Sequence, residues 1–272
     1  AGDDCKTLLQ ILKSTDKCTL EECDEIYPHD HIKRRVGDER ILGTFDQFCA
    51  AFYHVPKWNN YPDRRKSRNY ACLDQKNCII AKENRPFANP IKVVAVVKFE
   101  NPRGKILYEA RYTNCCPHKM HAENFFQNDI QDEDGVFNEL IQDNPKGTIT
   151  LYLTAQPCNL PRVTQCTKPD QSCCNILIDI VTRTLRENGR KIDLCVKAAH
   201  QNYLGVVQQK DAQLKKTAVE GTKDLITGGV KVSGMTQDDW DYLFTLTKDN
   251  KDRKHLDQEV EIIFRRIEEN QE

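Results

Sequence analysis

The chain of 272 residues is 39% hydrophobic and carries 40 basic and 41 acidic side chains. Its length and apolar content suffice for one large domain with a packed core. The balanced charge excludes an overall positive field that would attract nucleic acid, so any such binding must depend on a local patch. A membrane-spanning helix needs about 20 apolar residues, and no run of this kind occurs. The sequence as given shows no secretory leader, and we expect no membrane partner.

Cysteine is unusually frequent, with 13 residues spread between positions 5 and 195. So many cysteines favour an oxidising compartment, and we therefore predict a secreted, disulfide-bonded protein. The alternative is a reduced cytosolic protein with buried thiols. Because the number is odd, the cysteines cannot all pair with one another, and thiolates used for a metal site would change the count again.

The first 88 residues contain short helical patterns, at 5–12 and 45–53, separated by cysteines and polar loops. No strand pattern is visible before residue 90. We therefore predict that residues 1–88 form a cysteine-rich, mainly helical extension packed on a core domain of residues 89–272.

Strand patterns begin after this extension. Residues 91–100 are nearly continuously apolar, residues 105–113 alternate, and Asn101-Pro102-Arg103-Gly104 favours a turn between them, so a β-hairpin is predicted. Helix and strand patterns then alternate, with helices at 121–126, 136–141, 175–185, 218–226, 236–246 and 256–267 and strands at 148–155, 191–199 and 229–235. This order predicts an α/β fold in which a mixed sheet has helices on both faces.

Two short motifs in this region fit a metal site. His121-Ala122-Glu123 opens a predicted helix, and Pro157-Cys158 follows a predicted strand and precedes another helix. Zinc deaminases combine H-x-E with P-C-x-x-C, which gives three protein ligands, an open position for water and a carboxylate that is not a ligand. An isolated H-x-E motif is weak, because most such sequences simply begin a helix. Near helix N-termini, however, the backbone dipole favours thiolate and carboxylate.

The third ligand departs from this pattern, because no cysteine lies two to four residues after Cys158. Cys166, Cys173 and Cys174 are the candidates. Cys166 lies among loop residues and is better interpreted as a disulfide partner. Measured from Cys173, apolar residues recur at the spacing of a buried helix face, at Leu177, Ile180, Val181 and Leu185. The phase is worse from Cys174, so we predict Cys173 and keep Cys174 as the alternative.

The order of these elements is similar to that of a known family. Residues 88–250 resemble the AID/APOBEC branch of the cytidine deaminase superfamily in the succession of a hairpin, the HAE helix, TITLYLTAQPC (148–158), a helix, DLCVKAA (193–199), a helix and VSGMTQDDWDYLF (232–244). The many cysteines and the long segment between the metal cysteines are most similar to the secreted novel AID/APOBEC-like deaminases of lower vertebrates. The resemblance does not cover residues 1–88.

The resemblance implies a cytidine-deaminase-like, five-stranded mixed sheet flanked by helices, and a Zn²⁺ ion held by His121, Cys158 and Cys173. It also implies that the metal lowers the pKa of a water molecule, while Glu123 carries protons to N3 of cytosine and to the leaving ammonia. Asn114, at the end of the second strand of the hairpin, resembles the family's ribose-contacting Asn. An Asn that closes the strand as a turn residue is an equal alternative.

Other residues bear on the choice of substrate. The family's nucleic-acid editors have a stacking aromatic two residues before the Pro-Cys step, where this chain has Ala155. His200 and Tyr203 lie where relatives read the base on the 5′ side, although both also suit an exposed loop. Residues 57–70 interleave basic and aromatic side chains, which favours either single-stranded nucleic acid or a solvated loop. The candidates there are Lys57, Trp58, Arg64, Arg65, Lys66 and Arg68.

These residues lead us to expect a secreted, zinc-dependent enzyme that hydrolyses cytosine to uracil in single-stranded polynucleotide, with DNA slightly favoured over RNA. Deamination of free cytidine or deoxycytidine is a second hypothesis, and it fits the missing aromatic. A catalytically inactive, disulfide-bonded binding protein on the same fold is a third. Zinc content and uracil formation distinguish the three.

Overall fold

The structure is a computed structural model that describes residues 31–44, 48, 52, 93–115, 118–160, 167–168, 170–200 and 212–248, with the backbone alone for residues 200 and 212–216. The predicted helices at 5–12 and 256–267, the domain boundary near residue 88 and the basic and aromatic stretch at 57–70 lie outside these residues. Of the predicted helix at 45–53, Phe48 and Phe52 are described, and both are helical.

The chain divides into two compact units. The first unit comprises Ala1–Gly37 and Ile91–Met235, and the second comprises Asp38–Pro90 and Thr236–Glu272. The motifs predicted to bind metal all belong to the first unit.

Six strands of the described residues form one mixed sheet in the first unit. They are β1 (Ile32–Arg34), β2 (Val94–Glu100), β3 (Ile106–Thr113), β4 (Lys146–Ala155), β5 (Lys191–His200) and β6 (Val230–Gly234). Their spatial order is β1-β3-β2-β4-β5-β6. β2 and β3 form the predicted hairpin, β2 pairs antiparallel with β4, and β4, β5 and β6 run parallel. The prediction of a mixed α/β sheet is confirmed.

The prediction of five strands is wrong, because the sheet has a sixth. The additional strand is β1, in the extension where the sequence shows no strand pattern. Its three residues are too few to display an alternation that sequence analysis can recognise. β1 forms because the edge of β3 offers unpaired backbone groups, and Ile32 pairs there with Tyr112 and Arg34 with Ala110.

Besides the helical residues Phe48 and Phe52, the described residues contain five α-helices: α1 (Ala122–Gln131), α2 (Val136–Asp143), α3 (Cys173–Ile180), α4 (Ala212–Thr227) and α5 (Gln237–Phe244). The helix predicted at 175–185 is α-helical only to Ile180, and it continues as a π-helical turn, Val181–Leu185. α4 begins at Ala212, earlier than the predicted residue 218. None of the helices in the described residues is long and apolar enough to cross a membrane.

The main core lies between one face of the sheet and the helices of the first unit. Val97 of β2 pairs with Leu151 of β4, which pairs with Val196 of β5, so three buried side chains form a row across the sheet. Phe126 of α1 and Leu177 of α3 are buried in the same cluster. Burying each such side chain contributes roughly 1.5–3 kcal/mol. This packing fixes α1 and α3 against the sheet, and the predicted ligands lie at the starts of these two helices.

The opposite face of the central strands is buried as well. Val96 of β2 pairs with Tyr152 of β4 on this face, and their exposed fractions are 0% and 1%. Nζ of Lys98 lies over the Tyr152 ring, 5.8 Å from its centre. β2 and β4 are therefore covered on both faces, as in layered α/β proteins.

In the second unit, α5 starts where the sequence predicts. Thr236 Oγ1 accepts a hydrogen bond from Asp239 N at 3.4 Å, and Asp239 Oδ2 accepts one from Thr236 N at 2.7 Å, which is a capping box. The ring of Phe48 packs edge-on against Trp240 and Phe244 of this helix. These contacts form an aromatic core within the second unit.

Candidate metal centre

His121 is held at the start of α1 by hydrogen bonds on both sides. Before it, Cys115 N donates to Met120 O at 2.8 Å and Met120 N donates to Cys115 O at 3.0 Å, which closes the loop after β3. His121 has extended backbone angles (φ −85°, ψ 165°) at the N-cap of the helix. Its amide donates to Asn124 Oδ1 at 2.8 Å, and the Asn124 amide donates to His121 O at 3.0 Å. Hydrogen bonds therefore fix the backbone before and after His121, and with it the position from which the imidazole projects.

The two cysteines come from the end of β4 and the start of α3. Cys158 follows the last residue of β4 by three positions, and Cys173 is the first residue of α3. Ser172 caps this helix, because its Oγ accepts a hydrogen bond from Asn175 N at 3.2 Å. The amide of Cys174 donates to the Cys158 carbonyl at 3.0 Å, so the start of α3 holds the Cys158 backbone directly.

His121, Cys158 and Cys173 converge on one point. Nδ1 of His121 lies 3.2 Å from Sγ of Cys173 and 3.6 Å from Sγ of Cys158. One donor atom from each of the three residues lies within 4.8 Å of the other two. Metal–nitrogen and metal–sulfur bonds are about 2.0–2.3 Å long, so donor atoms this close can share one ion. In the part of the chain that the structure describes, this trio could hold a metal ion.

Cys174, the alternative ligand, points away from the trio. Its Sγ lies 3.6 Å from the carbonyl oxygen of Pro157, on the side of α3 that faces α4. A Cβ atom built on Gly221 of α4 would lie only 2.9 Å from this sulfur, which shows how closely the two helices approach there. Burial raises the pKa of the Cys174 thiol to about 12, so this sulfur stays protonated.

The electrostatics of the trio favour one thiolate. A hydrogen bond from the Cys173 thiol, together with the nearby His121, lowers the pKa of Cys158 to about 5. Burial raises the pKa of Cys173 well above its usual value. Burial, the largest single effect, acts to lower the pKa of His121, but the hydrogen bond with Cys158 and the negative charges of Glu123 and Cys158 together raise it. An ion bound here would displace protons from the imidazole and from a thiol.

Glu123 lies beside the trio without belonging to it. It is in the first turn of α1, two residues after His121, and only 3% of it is exposed. Burial raises the pKa of its carboxyl group, while the charge of His121 opposes that rise. Its side chain also interacts with the side chain of Cys173. A carboxyl group with a raised pKa beside a candidate metal centre is suited to proton transfer.

Two polar residues that sequence reasoning missed support the trio. Oγ1 of Thr167 lies 3.1 Å from Nε2 of His121, although the residues are 46 positions apart. Nδ2 of Asn159 donates to the backbone oxygen of Thr217 in α4 at 3.0 Å, and Oδ1 of Asn159 accepts from Ser172 Oγ at 3.5 Å. No local sequence pattern predicts such contacts, because they form between segments that are distant in the chain and come together only in the folded structure.

Three of the predicted substrate residues, Asn114, Ala155 and His200, lie at the edge of the sheet where β3, β4 and β5 end, which is also where the trio lies. Asn114 follows β3; its Oδ1 accepts from Val93 N at 2.7 Å, and its amide donates to Val93 O at 3.3 Å, so it helps to close the β2–β3 pair. Ala155 is buried at the end of β4 and is paired in register with His200 at the end of β5. Tyr203 and the six candidates at 57–68 lie outside the described residues.

Five cysteines lie in the described residues. They are Cys115, Cys158, Cys173, Cys174 and Cys195, and no disulfide occurs among the described residues. Cys166 and the other seven cysteines lie outside those residues. The predicted disulfide bonding therefore stays a prediction.

Comparison with known proteins does not show a family for this chain. No protein-family model matches this sequence, and no curated protein matches it. The resemblance to AID/APOBEC deaminases therefore stays a prediction.

Proposed function

We propose that this chain is a zinc-dependent hydrolase of the AID/APOBEC-like type, which converts cytosine and water into uracil and ammonia. The observation that carries the proposal is the convergence of His121, Cys158 and Cys173 within 4.8 Å, with the buried carboxyl group of Glu123 on the same helix turn. Zinc deaminases that act on cytosine use this combination of three protein ligands and a carboxyl group that is not a ligand.

Zinc fits the donor set. One imidazole nitrogen and two sulfurs are ligands that Zn²⁺ takes in tetrahedral sites whose fourth position stays open for water. The hydroxyl group of Thr167, 3.1 Å from Nε2 of His121, can accept a hydrogen bond from Nε2–H, and the lone pair of Nδ1 is then free to bind the ion. When bound, zinc would lower the pKa of a water molecule and hold it for attack on C4 of the base.

Glu123 would move the protons of this reaction. Its carboxylate would accept the proton that the attacking water loses and deliver it to N3 of the cytosine ring. It would then take the second proton from the hydroxyl group now on C4 and pass it to the amino group, which leaves as ammonia while the C4 carbonyl of uracil forms. The burial of Glu123 and the raised pKa of its carboxyl group support this role, because the group can hold a proton at a higher pH than an exposed glutamate can.

We propose single-stranded polynucleotide as the substrate, with DNA ahead of RNA, and the basic and aromatic residues at 57–70 as its contacts. One observation favours a second candidate, free cytidine or deoxycytidine: Ala155, at the end of β4, offers a methyl group where an aromatic side chain would stack on the target base. The 13 cysteines support an extracellular location for either activity.

Substitution of Glu123 separates metal binding from catalysis. Glu123→Gln and Glu123→Ala should retain bound zinc and lose uracil formation by about 100- to 10,000-fold, the usual contribution of a general acid–base group. His121→Ala should lose zinc as well. Glu109→Gln is a matched control. Glu109 lies in β3 and is also buried, but its carboxylate pairs with Arg35 at 3.0 Å and it is not one of the metal donors.

The assay scores uracil after incubation with cytosine-containing oligonucleotides and with free nucleosides. Uracil from oligonucleotides supports the first proposal, and uracil from nucleosides alone supports the second. Full activity of Glu123→Gln would refute the proton-transfer role. Zinc binding without uracil from any substrate would instead indicate a binding protein on this fold.

A further inference from the structure

The imidazole of His121 has a different partner on each nitrogen. Nδ1 faces the two sulfurs, with Cys173 at 3.2 Å and Cys158 at 3.6 Å, while Nε2 faces Oγ1 of Thr167 at 3.1 Å. Thr167 is only 5% exposed, so little solvent reaches its hydroxyl group. The hydroxyl is thus a fixed partner on the side of the ring that points away from the sulfurs.

A hydroxyl in this position affects which nitrogen can bind a metal. A neutral imidazole carries its proton on one nitrogen, and only the other nitrogen has a lone pair for an ion. Because Nδ1 faces the two sulfurs, an ion held among them would take the Nδ1 lone pair and leave the ring proton on Nε2. Oγ1 of Thr167, 3.1 Å from Nε2, is placed to accept the hydrogen bond from that Nε2–H, which stabilises this tautomer and this orientation of the ring. Partners of this kind fix the tautomer and the orientation of metal-binding histidines in general.

We propose that Thr167 is a positioning residue of the metal centre: its hydroxyl group accepts the hydrogen bond from Nε2–H of His121 and holds the ring with Nδ1 toward the ion. The proposal rests on the proposed metal centre but not on deaminase activity. It also assigns a role to the 14 residues between Cys158 and Cys173, because Thr167 comes from that segment. The segment would supply a part of the centre that neither the strand end nor the helix start provides.

The two ends of this segment are held together by hydrogen bonds, which helps to keep Thr167 beside His121. The amide of Cys174 binds the Cys158 carbonyl at 3.0 Å. Asn159 and Ser172, the first and last residues of the segment, are hydrogen-bonded through their side chains at 3.5 Å. The orientation of the His121 ring is therefore set by a segment whose two ends adjoin the cysteine ligands.

Two substitutions of Thr167 and one control isolate the hydroxyl group. Thr167→Val keeps the branched shape and removes the acceptor, whereas Thr167→Ser keeps the acceptor. Thr184→Val is the matched control: Thr184 is 4% exposed, and its Oγ1 accepts a hydrogen bond from Gln131 Nε2 at 3.1 Å, at the far end of α3 from the ligands. Zinc affinity is measured by competition with a chromogenic chelator. The spectrum of the cobalt-substituted protein reports the ligand geometry.

We expect the zinc dissociation constant of Thr167→Val to rise by about 10- to 100-fold, as for other partners of metal-binding histidines. Thr167→Ser and Thr184→Val should bind zinc like the unaltered protein, and the cobalt spectrum should change only in Thr167→Val. Unchanged affinity in Thr167→Val would overturn the proposal. An equal loss of zinc affinity in Thr184→Val would also overturn it, because that loss would indicate general destabilisation. So would an equal loss in Thr167→Ser, because packing of the side chain, and not its hydroxyl group, would then explain the effect.

A measurement on the unaltered protein tests the same point if Thr167→Val does not fold. Long-range proton–nitrogen spectra of the ¹⁵N-histidine-labelled, zinc-loaded protein show which ring nitrogen carries the proton. A proton on Nε2 of His121 with the metal on Nδ1 supports the proposal, and the reverse arrangement overturns it. If the unaltered protein binds no zinc, the proposed function fails together with this inference. If it binds zinc and only the Thr167 variants behave otherwise than expected, this inference fails alone.

Discussion

The buried carboxylate of Asp129 anchors α1 to the sheet, and its removal should have a large effect on stability. Oδ2 of Asp129 accepts hydrogen bonds from the hydroxyl groups of Tyr108 at 2.5 Å and Tyr112 at 2.7 Å, and Oδ1 pairs with Arg34. Asp129 is 2% exposed, and Tyr112 is completely buried. The network joins β1, β3 and α1, and α1 is the helix that starts at His121.

Asp129→Ala would leave two tyrosine hydroxyl groups without their acceptor. Each buried polar group that loses its partner costs about 1–3 kcal/mol, so the free energy of unfolding should fall by about 2–6 kcal/mol. The lost ion pair adds little, because the Arg34 side chain is 42% exposed and water screens its charge. Equilibrium unfolding in urea measures the change. Asp143→Ala, which removes an exposed aspartate of α2, should change stability by less than about 0.5 kcal/mol.

A double-mutant cycle tests the cause of the loss. Tyr112→Phe alone removes a satisfied hydrogen bond and should cost about 0.5–1.5 kcal/mol. In the Asp129→Ala background the same substitution removes an unsatisfied hydroxyl group, so it should be neutral or stabilising. An equal cost of Tyr112→Phe in both backgrounds would refute the reasoning, because the two side chains would then act independently.

Three further measurements test the surroundings of the trio. Gly221→Ala should destabilise the protein by about 1–3 kcal/mol despite its better helix propensity, because the new Cβ would lie 2.5 Å from Cβ of Asn159. Gly234→Ala, with no atom within 4 Å of the added Cβ, should be nearly neutral in the same urea titration. In metal-free protein, the pKa of about 5 predicts that Cys158 is a thiolate at neutral pH. The rate at which Cys158 is alkylated should therefore be constant from neutral pH to about pH 6, and it should decrease as the pH falls through about 5. Cys174 should resist alkylation, and a Cys158 rate that rises through pH 8 to 9 would contradict this prediction. An ion held by the trio would link α1 to α3, so a chelator should lower the melting temperature of zinc-treated protein and added zinc should restore it. An unchanged melting temperature would contradict such a centre.

The elements that carry the site could be predicted from the sequence because their patterns are long. The strands predicted at 148–155 and 191–199 are observed as β4 and β5 with ends that differ by at most two residues. The apolar phase of the helix after Ser172 also predicts its buried face, since Leu177, Ile180, Val181 and Leu185 all lie in the core. Periodic burial is a property of neighbouring residues, so it is visible in one segment alone.

The direction in which each cysteine points could not be read from that phase. Both Cys173 and Cys174 are buried, with exposed fractions of 0% and 1%, so burial does not separate them. They differ in the neighbour that each sulfur faces: His121 for Cys173, and the Pro157 carbonyl for Cys174. Which neighbour lies on which side depends on the packing of α3 between α1 and α4, and the local sequence does not contain that information.

Other features were missed because they depend on partners far away in the chain. The contacts of Thr167 with His121 and of Arg34 with Asp129 span 46 and 95 residues. β1 exists only as a partner of β3, and its three residues have no pattern of their own. Polar contacts between distant segments and short edge strands are formed by tertiary structure, so a single sequence provides no signal for them.

The long interval between Cys158 and Cys173 does not prevent them from sharing an ion. In the P-C-x-x-C pattern, a short interval keeps both cysteines at one helix start. Here the bond from the Cys174 amide to the Cys158 carbonyl has the same effect, and Asn159 adds hydrogen bonds to Ser172 and α4. Lengthening a flexible loop from 2 to 14 residues costs only about 1.7 kcal/mol of closure entropy, and two or three hydrogen bonds of about 1 kcal/mol each offset it. A search that requires fixed spacing would therefore miss this centre, whereas the strand end and the helix start identify it.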